Sequence, residues 1–370
     1  MTYRFASDVY RRRLDRARRL TADAGLDALL VSTGPDLRYL TGSRADTFER
    51  LTALVIPAVG DPRLVVARLE LASVRDSAIA DLGIDVAAWV DGEDPYALAL
   101  SGLSGSVKVA VSDTMPALHV IPVAERVGAT PSLATGVLRE LRMIKDDSEI
   151  DALRRAGAAI DRVHARMGDW LLPGRTERAV ADDIRTAILA EGHTEAAFII
   201  VGSGPNGADP HHEFSDRVIE PDDIVVIDIG GPVDPGYNSD STRTYCFAAP
   251  PAEVAEAYGA LQEAQAAAVA AVRPGMTAEA VDAVARDLLR EQGLADRFIH
   301  RTGHGIGLSV HEEPYIVSGN DVALRPGMAF SVEPGVYFDG EWGARIEDIV
   351  VVTDDGCEPL NTRPHDLVVL

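Results

Sequence analysis

Apolar positions along the first 130 residues fall into two periods. Residues 8–25 carry Val9, Leu14, Ala17 and Leu20 on one stripe and end at Gly25, which predicts an amphipathic helix. DALLVST, LTALVIPAV and RLVVA are short apolar runs and predict three strands, with helical stretches between them, for example around Glu70–Ala80. This alternation predicts a small α/β domain over residues 1–132. The segment PSLATGVLRELRMIKDDSEI then reads as a connecting helix followed by the cap of a new one, so a second domain is expected over residues 133–370.

The second part repeats itself. Pro173-Gly174-Arg175-Thr176 opens a helical pattern that passes Val180 and Ile188 and stops at Gly192. Pro274-Gly275-Met276-Thr277 opens another that passes Val281 and Leu289 and stops at Gly293, each residue 101 positions after its counterpart. Both threonines are good N-caps, and both patterns stop at glycine. Further on the offset becomes 105, so that Pro221 corresponds to Pro326, Asp228 to Glu333 and Gly230 to Gly335. EPDDIVVIDIG and LRPGMAFSVEPG therefore read as two copies of one strand, each ending in a carboxylate. The pattern predicts an α+β fold: the α/β N-terminal domain, then an internally duplicated α+β domain with its site on the pseudo-symmetry axis.

Composition narrows the setting. A chain of 370 residues exceeds what one hydrophobic core usually serves, in agreement with two domains. The net charge of −23 argues against nucleic acid and anionic membranes as partners, although an acidic surface that favours solubility accounts for most of it. No stretch reaches the ~18 consecutive apolar residues of a membrane span. The basic N-terminal segment has no apolar run behind it, unlike a secretory signal. Cys246 and Cys357 form no metal-type spacing and fit a reducing compartment, so a cytoplasmic location is expected.

Chemistry concentrates in the repeat. Asp228 closes the apolar run IVVID, where a buried carboxylate needs a cation, a donor or a proton. Asp240 follows after the turn-rich GGPVDPGYNS, and a hairpin there would set the two side by side. Taken alone, such a pair is as readily explained by turn aspartates that accept backbone N–H groups. Glu333 and Glu347 repeat the arrangement, however, and four convergent carboxylates would repel one another without a cation. His304, between glycines in RTGHGIGLSVH, adds an imidazole. Five such ligands are too many for one small ion and fit two, of hard or borderline type: Mn²⁺, Co²⁺ or Zn²⁺ ahead of Mg²⁺. His211, His300 and His311 lie in loops of suggestive composition. Arg345, two residues before Glu347, shares its face on a predicted strand and is placed to orient a ligand carboxylate or bind substrate.

The run DIVVIDIG…GYNSDSTRTY…HRTGHGIGLSVHEEP…SVEPGVY…GARIEDIVVV resembles the pita-bread metallopeptidases, in particular the Xaa-Pro dipeptidase (prolidase) and Xaa-Pro aminopeptidase branch. The resemblance covers the chain from about residue 145 to the end, and the N-terminal region is similar, more loosely, to the creatinase-type domain. It implies a duplicated pita-bread fold, a dinuclear Mn²⁺ or Co²⁺ site and a homodimer. By motif, Asp228, Asp240, His304, Glu333 and Glu347 match the metal ligands. Glu333 also matches the residue that moves a proton from the attacking water to the leaving nitrogen. His211, His300 and His311 match positions that bind substrate or stabilise the tetrahedral intermediate, and Arg345 matches the arginine beside the last ligand. The implied activity is hydrolysis of Xaa-Pro dipeptides, a small-peptide substrate class. An Xaa-Pro aminopeptidase acting on longer peptides is the nearest alternative, and a non-catalytic scaffold keeping the fold is the alternative of another class.

One departure stands out. Some prolidases of this pattern have an arginine soon after HEEP to hold the substrate carboxylate, whereas Tyr315 follows here. Strict dipeptide selection then comes from elsewhere or is absent: Arg44 or Arg50 in TGSRADTFERL, with Tyr237 assisting, are the candidates, and ordinary surface arginines are an equally good reading of both.

Overall fold

The computed structural model describes residues 4–46, 49–103 and 107–370, in two compact units, Met1–Arg142 and Met143–Leu370. The first is built on a six-stranded sheet of β1 (Ala28–Ser32), β2 (Ala53–Pro57), β3 (Arg63–Ala67), β4 (Asp85–Trp89), β5 (Val109–Val111) and β6 (Ser132–Leu133). The strand order is β4-β3-β2-β1-β5-β6. β1, β2 and β3 pair antiparallel, and the remaining neighbours pair parallel. Helices α1 (Ser7–Asp23), α2 (Pro35–Thr41), α3 (Pro95–Ala99) and α4 (Ala117–Val127) accompany it, and α1 buries Val9, Leu14 and Ala17 as the stripe predicts.

Two expectations are corrected here. The stretch around Glu70–Ala80 forms only a 3₁₀ helix, Arg68–Val74, because it has no sustained apolar stripe: Val74 is its one buried residue and Leu69 is 78% exposed. The unit boundary falls after Arg142 rather than residue 132. The connecting helix α5 (Thr135–Arg142) is fastened to the first unit, where the Tyr39 hydroxyl donates to the Leu141 carbonyl at 2.6 Å and Arg142 pairs with Asp36 at 2.8 Å.

The second unit opens with α6 (Asp147–His164), whose capping box joins Asp146 and Glu149. Its first half continues with α7 (Glu177–Ala190), β7 (Phe198–Ser203), β8 (Val225–Val233) and β9 (Tyr237–Cys246). The second half comprises α8 (Ala252–Ala271), α9 (Ala278–Glu291), β10 (Gly303–Gly305), β11 (Glu312–Ile316), β12 (Ala329–Val332), β13 (Gly335–Phe338), β14 (Trp342–Arg345), β15 (Asp348–Val352) and β16 (Cys357–Pro359). A last short strand, β17 (Val368–Val369), returns to β9, giving sheets β17-β9-β8-β7 and β11-β10-β12-β15-β16 beside the β13–β14 hairpin.

The duplication is visible in the bonding. Thr176 accepts the Ala179 N–H at 3.2 Å to cap α7, and Thr277 accepts the Ala280 N–H at 3.3 Å to cap α9. Gly174 N–H bonds the Ile219 carbonyl, and Gly275 N–H bonds that of Leu324. In each half the helices cover one face of a sheet and leave the other for the site.

Candidate metal centre

The period of two along a strand separates core from chemistry. On β8, Val225, Ile227 and Ile229 pack into the apolar cluster formed with α6 and α7, which turns Asp228 to the opposite face. On β12, Phe330 and Val332 join the cluster under α8 and α9, which turns Ser331 and then Glu333 away from it. The predicted hairpin forms: β8 and β9 pair antiparallel with Asp228 opposite Thr242 and Gly230 opposite Asp240, so the two aspartates lie diagonally on one face. Glu347 follows β14, where its N–H donates to the Thr242 carbonyl at 3.2 Å and its Oε2 accepts the Thr242 hydroxyl at 2.7 Å.

His304 sits in strand β10 rather than in a loop, and its neighbours explain why. A Cβ on Gly303 would lie 1.8 Å from the Ser331 carbonyl oxygen, and one on Gly305 2.3 Å from that of Glu313. Only glycine on each side lets the backbone thread between β11 and β12 with the imidazole turned inward. Its Nδ1 lies 3.2 Å from the Gly305 carbonyl, which can only accept, so Nδ1 carries the proton of that contact. Nε2 is left facing Glu333 Oε1 at 3.2 Å and Asp240 Oδ2 at 3.6 Å. With Nδ1–H held by that carbonyl, Nε2 is the nitrogen open to a cation, which would displace the proton that Nε2 otherwise directs at Glu333.

These side chains form the floor of a cavity of about 610 Å³, lined entirely by residues of the second unit. Ligand atoms of Asp240, His304 and Glu347 all lie within 4.8 Å of one another. Asp228 Oδ1 and Glu347 Oε1 are buried without a hydrogen-bond partner, a costly state that a cation relieves. Burial, with the negative charges of Asp228 and Glu333, pushes the Asp240 carboxyl well up from its ordinary value. Burial and the charge of Asp240 do the same to Glu347. Asp228 is raised too, against the pull of Arg345. Glu333 is held down to about 2, its burial outweighed by the hydrogen bond and charge of His304. Four carboxylates with one guanidinium bonded among them, that of Arg345, leave an excess of negative charge that divalent cations would neutralise, so the donor set fits a metal.

Around the floor, Arg345 donates to Asp228 Oδ2 at 2.6 Å, to the Tyr337 hydroxyl at 2.7 Å and to Thr242 Oγ1 at 3.2 Å. Tyr337 Oη in turn lies 2.9 Å from His300 Nε2, and His300 Nδ1 lies 2.7 Å from the Arg301 carbonyl. A carbonyl accepts only, so Tyr337 donates to His300, and the chain runs Arg345 to Tyr337 to His300 with one direction of polarity. His311 stands edge-on to His304, ring centroids 4.1 Å apart, and burial followed by the charge of His304 lowers it to about 4. His211 is exposed at the rim.

The comparisons fit this geometry. Residues 151–354 match Metallopeptidase family M24, and residues 13–144 match the Creatinase/Prolidase N-terminal domain. The chain belongs to metallopeptidase family M24. It is 63% identical to a protein of Mycobacterium tuberculosis (strain ATCC 25618 / H37Rv) named Probable dipeptidase PepE, over 99% of this chain and 98% of that one. Among solved structures it is similar to dipeptidase PepE from Mycobacterium ulcerans, with TM-score 0.96, 62% identity and 99% of each chain covered. It is also similar to a prolidase from Thermococcus sibiricus, with TM-score 0.90, 38% identity and 98% and 99% of the two chains covered. The fold is the creatinase-type N-terminal domain followed by the pita-bread domain, and the protein is a metal-dependent M24 hydrolase related to dipeptidases and prolidases.

In this M24 site the structure brings together Asp228, Asp240, His304, Glu333, Glu347, His211, His300, His311 and Arg345, all of which line the cavity. Tyr237 is not among the lining residues: it is buried, and its hydroxyl donates to Glu149 Oε1 at 2.7 Å in the cap of α6. Arg44 and Arg50 belong to the first unit, where Asp91 holds Arg50 through Nε at 3.0 Å and Nη2 at 2.9 Å; Thr47 and Phe48 of the same loop lie outside the described residues. The sequence did not single out the lining residues Arg301 and Glu213, the apolar wall of Phe198, Ile200, Ile299 and Val310, or Tyr337 and Thr242, which bond the site residues from behind. Thr242 had a signal, since it stands 105 positions before Glu347, the offset of the repeat. Among the described residues, no helix is long and apolar enough to cross a membrane.

Proposed function

We propose that this M24 hydrolase cleaves the peptide bond before proline, most readily in Xaa-Pro dipeptides. The observation that carries the reading is the convergence of Asp240, His304 and Glu347 on the floor of a cavity that Asp228 and Glu333 also line. The dipeptidase and prolidase names of its relatives supply the substrate class. Asp228, Asp240, His304, Glu333 and Glu347 would hold two divalent cations, Mn²⁺ or Co²⁺ ahead of Zn²⁺. Such cations, when bound, supply an acidified water and a polarised carbonyl.

The chain's own residues do the rest. Glu333, steadied by the Ser331 hydroxyl at 3.0 Å, takes a proton from the attacking water and returns it to the proline nitrogen as the C–N bond breaks. The water oxygen ends in the new carboxylate of Xaa, and the proton ends as the N–H of free proline. His211 and His311 face the carbonyl oxygen and stabilise the charge that develops on it. His300 has both ring nitrogens taken by the protein and acts by fixing Tyr337 and Arg345, which in turn fixes Asp228. Proline offers no N–H to grip, so its ring is recognised by shape. The apolar wall of Phe198, Ile200, Ile299 and Val310 suits that task.

The test is release of the N-terminal residue Xaa from an Xaa-Pro dipeptide, with free proline as co-product, and from an Xaa-Pro-Xaa tripeptide, with Pro-Xaa as co-product, after stripping with EDTA and again after adding Mn²⁺ or Co²⁺. Metal-restored cleavage of the dipeptide is the expected result. Cleavage of the tripeptide in preference assigns the aminopeptidase activity instead. No activity on either by metal-loaded protein overturns the proline reading.

A further inference from the structure

His211 lines the cavity at its rim, yet among the described residues its imidazole makes no hydrogen bond to the protein. What is held there is its backbone, whose N–H donates to Asp209 Oδ1 at 2.9 Å. The place of the ring is therefore set by the loop that carries it, and that loop is built around a carboxylate the mechanism does not use. Glu177, the first residue of α7, is fully buried. Its Oε1 accepts the Ser203 N–H at 2.8 Å, the Ser203 hydroxyl at 2.7 Å and Asn206 Nδ2 at 3.0 Å. Its Oε2 accepts the Ser215 N–H at 2.8 Å, the Ser215 hydroxyl at 2.6 Å and His212 Nε2 at 2.9 Å. All of these donors belong to residues 203–215, the segment with His211 in its midst. The same loop abuts β14, since a Cβ on Gly343 would lie 2.0 Å from the Gly207 carbonyl oxygen.

The network has one direction. Arg217 donates to Ser203 Oγ at 2.7 Å and Asn206 to Ser215 Oγ at 3.1 Å, and both hydroxyls donate onward to Glu177. Burial alone would raise the Glu177 carboxyl, but the hydrogen bonds of Ser215, Ser203 and His212 hold it down to about 2. Once its desolvation is set against its hydrogen bonds, such a buried acid returns little stability, whereas the geometry it imposes is strict. The second half holds its own histidine loop in a comparable way. Asp282 of α9, also buried, accepts the Thr302 N–H at 3.1 Å and hydroxyl at 2.8 Å. It also pairs with Arg286, which donates to the His300 carbonyl at 2.9 Å. The counterpart of Glu177 at the 101 offset is Ala278, so the two halves reach the same end from different positions of their helices. We infer that Glu177 is a positioning residue for the reaction: by fixing His212 and Ser215 it sets the backbone of His211 and aims that imidazole at the substrate carbonyl oxygen. The inference rests on the role given to His211 in the Xaa-Pro reading above.

The experiment uses the full-length, metal-loaded protein and an Xaa-Pro dipeptide. It compares wild type with Glu177→Gln, His212→Ala, His211→Ala and the double variants that join each of the first two to His211→Ala. None of the five metal-ligand candidates lies on the loop, so bound metal, read by elemental analysis, is expected to stay at the wild-type level throughout. Glu177→Gln keeps the shape but turns an amide NH₂ on the loop's donors, and kcat falls up to about 100-fold with a smaller change in KM. His212→Ala removes one donor, keeps the rest and lowers kcat in the same direction by less. In the His211→Ala background, either substitution costs less than about a further twofold, because no imidazole is left to aim. A loss that recurs at full size in that background, or that comes with loss of metal, shows a merely structural role and overturns the inference. So does an unchanged kcat in Glu177→Gln and His212→Ala, or in His211→Ala. Should Glu177→Gln fail to fold, His212→Ala carries the same cycle. Amide exchange needs no turnover: faster exchange at His211 and Ser215 in His212→Ala and Glu177→Gln is expected, and wild-type protection there overturns the inference. Failure of wild type to release Xaa refutes the Xaa-Pro reading, and the exchange result then still decides whether Glu177 holds the loop.

Discussion

Removing one oxygen atom, by Tyr337→Phe, tests whether the chain from Arg345 to His300 supports the metal site. The Tyr337 hydroxyl accepts from Arg345 Nη1 at 2.7 Å and donates to His300 Nε2 at 2.9 Å, and the side chain is buried. Phenylalanine fills the same space but leaves an arginine N–H and an imidazole nitrogen without partners. Each stranded group costs about 1–3 kcal/mol, so the second unit should lose about 2–6 kcal/mol. For a unit of this size that corresponds to a fall in Tm of roughly 4–24 °C. Arg345 keeps Asp228 and Thr242, so the floor survives, while His300 is free to turn. Loss of such a supporting partner lowers metal affinity or activity about 10- to 100-fold. The assay is calorimetric melting of metal-free protein, with metal titration and dipeptide turnover on the loaded form. A Tm within 2 °C of wild type, together with turnover and metal affinity within about twofold, would show that the relay carries neither stability nor function.

Three further outcomes follow from the same geometry. Glu347→Gln removes a charge from the deepest ligand, and elemental analysis should show bound metal falling from about two equivalents per chain toward one, with dipeptide turnover down at least about 100-fold. Gly303→Ala drives a methyl group into the Ser331 carbonyl, which parts β10 from β12; the variant should lose upward of ~4 kcal/mol, read as a lower unfolding midpoint, and fail to bind metal. His164, fully buried against Tyr245 and the Ser241 carbonyl, is lowered to about 3, first by burial and then by the charge of Arg243. Its unfolded form protonates near pH 6.5, so stability is complete above that pH and is lost as pH falls toward 3. His164→Asn should therefore flatten the dependence of unfolding free energy on pH between 6 and 4.5 by about 1.4 kcal/mol per pH unit, measured by urea titration at each pH.

What the sequence made legible was whatever a strong period or a charge anomaly marked. A carboxylate closing IVVID, and another closing MAFSVE 105 positions later, violate the rule that strand interiors are apolar, and that violation located the floor of the site. The helix α7 and its copy α9 were marked by their caps and stops. Elements held by tertiary contact alone were not legible. The edge strand β4 carries Val86 at 38% exposure and lacks a buried face to announce it. The region after Arg68 had apolar residues without a stripe, and helical propensity was not enough. Tyr237, beside the turn of the β8–β9 hairpin, looked available to substrate, yet its hydroxyl closes a cap 88 residues back in the chain. Tyr337 gave no local signal, because its partners Arg345 and His300 are brought close only by folding.

The repeat also explains how a symmetric scaffold carries an asymmetric site. Asp228 and Glu333 are equivalent positions, and so are Gly230 and Gly335, which pair with Asp240 and Arg345 in their respective hairpins. Asp240 and Arg345 are thus counterparts at the 105 offset, as are Thr242 and Glu347. Had both halves kept an acid at each of these places, six buried carboxylates would face one another, a charge that two divalent cations leave uncompensated. Instead the second half puts a guanidinium where the first puts Asp240, and that guanidinium binds Asp228, the acid of the opposite half. The first half puts a hydroxyl where the second puts Glu347, and that hydroxyl donates across the axis to Glu347. Both departures from symmetry act across the axis, each on a carboxylate of the other half. They reduce the formal charge on the floor to four carboxylates and one guanidinium, and among the described residues Asp228 Oδ1 and Glu347 Oε1 are buried there without a hydrogen-bond partner. Replacing Thr242 by Val should therefore release Glu347, and replacing Arg345 by Met should release Asp228, so that the two substitutions weaken metal binding from opposite halves of one repeat.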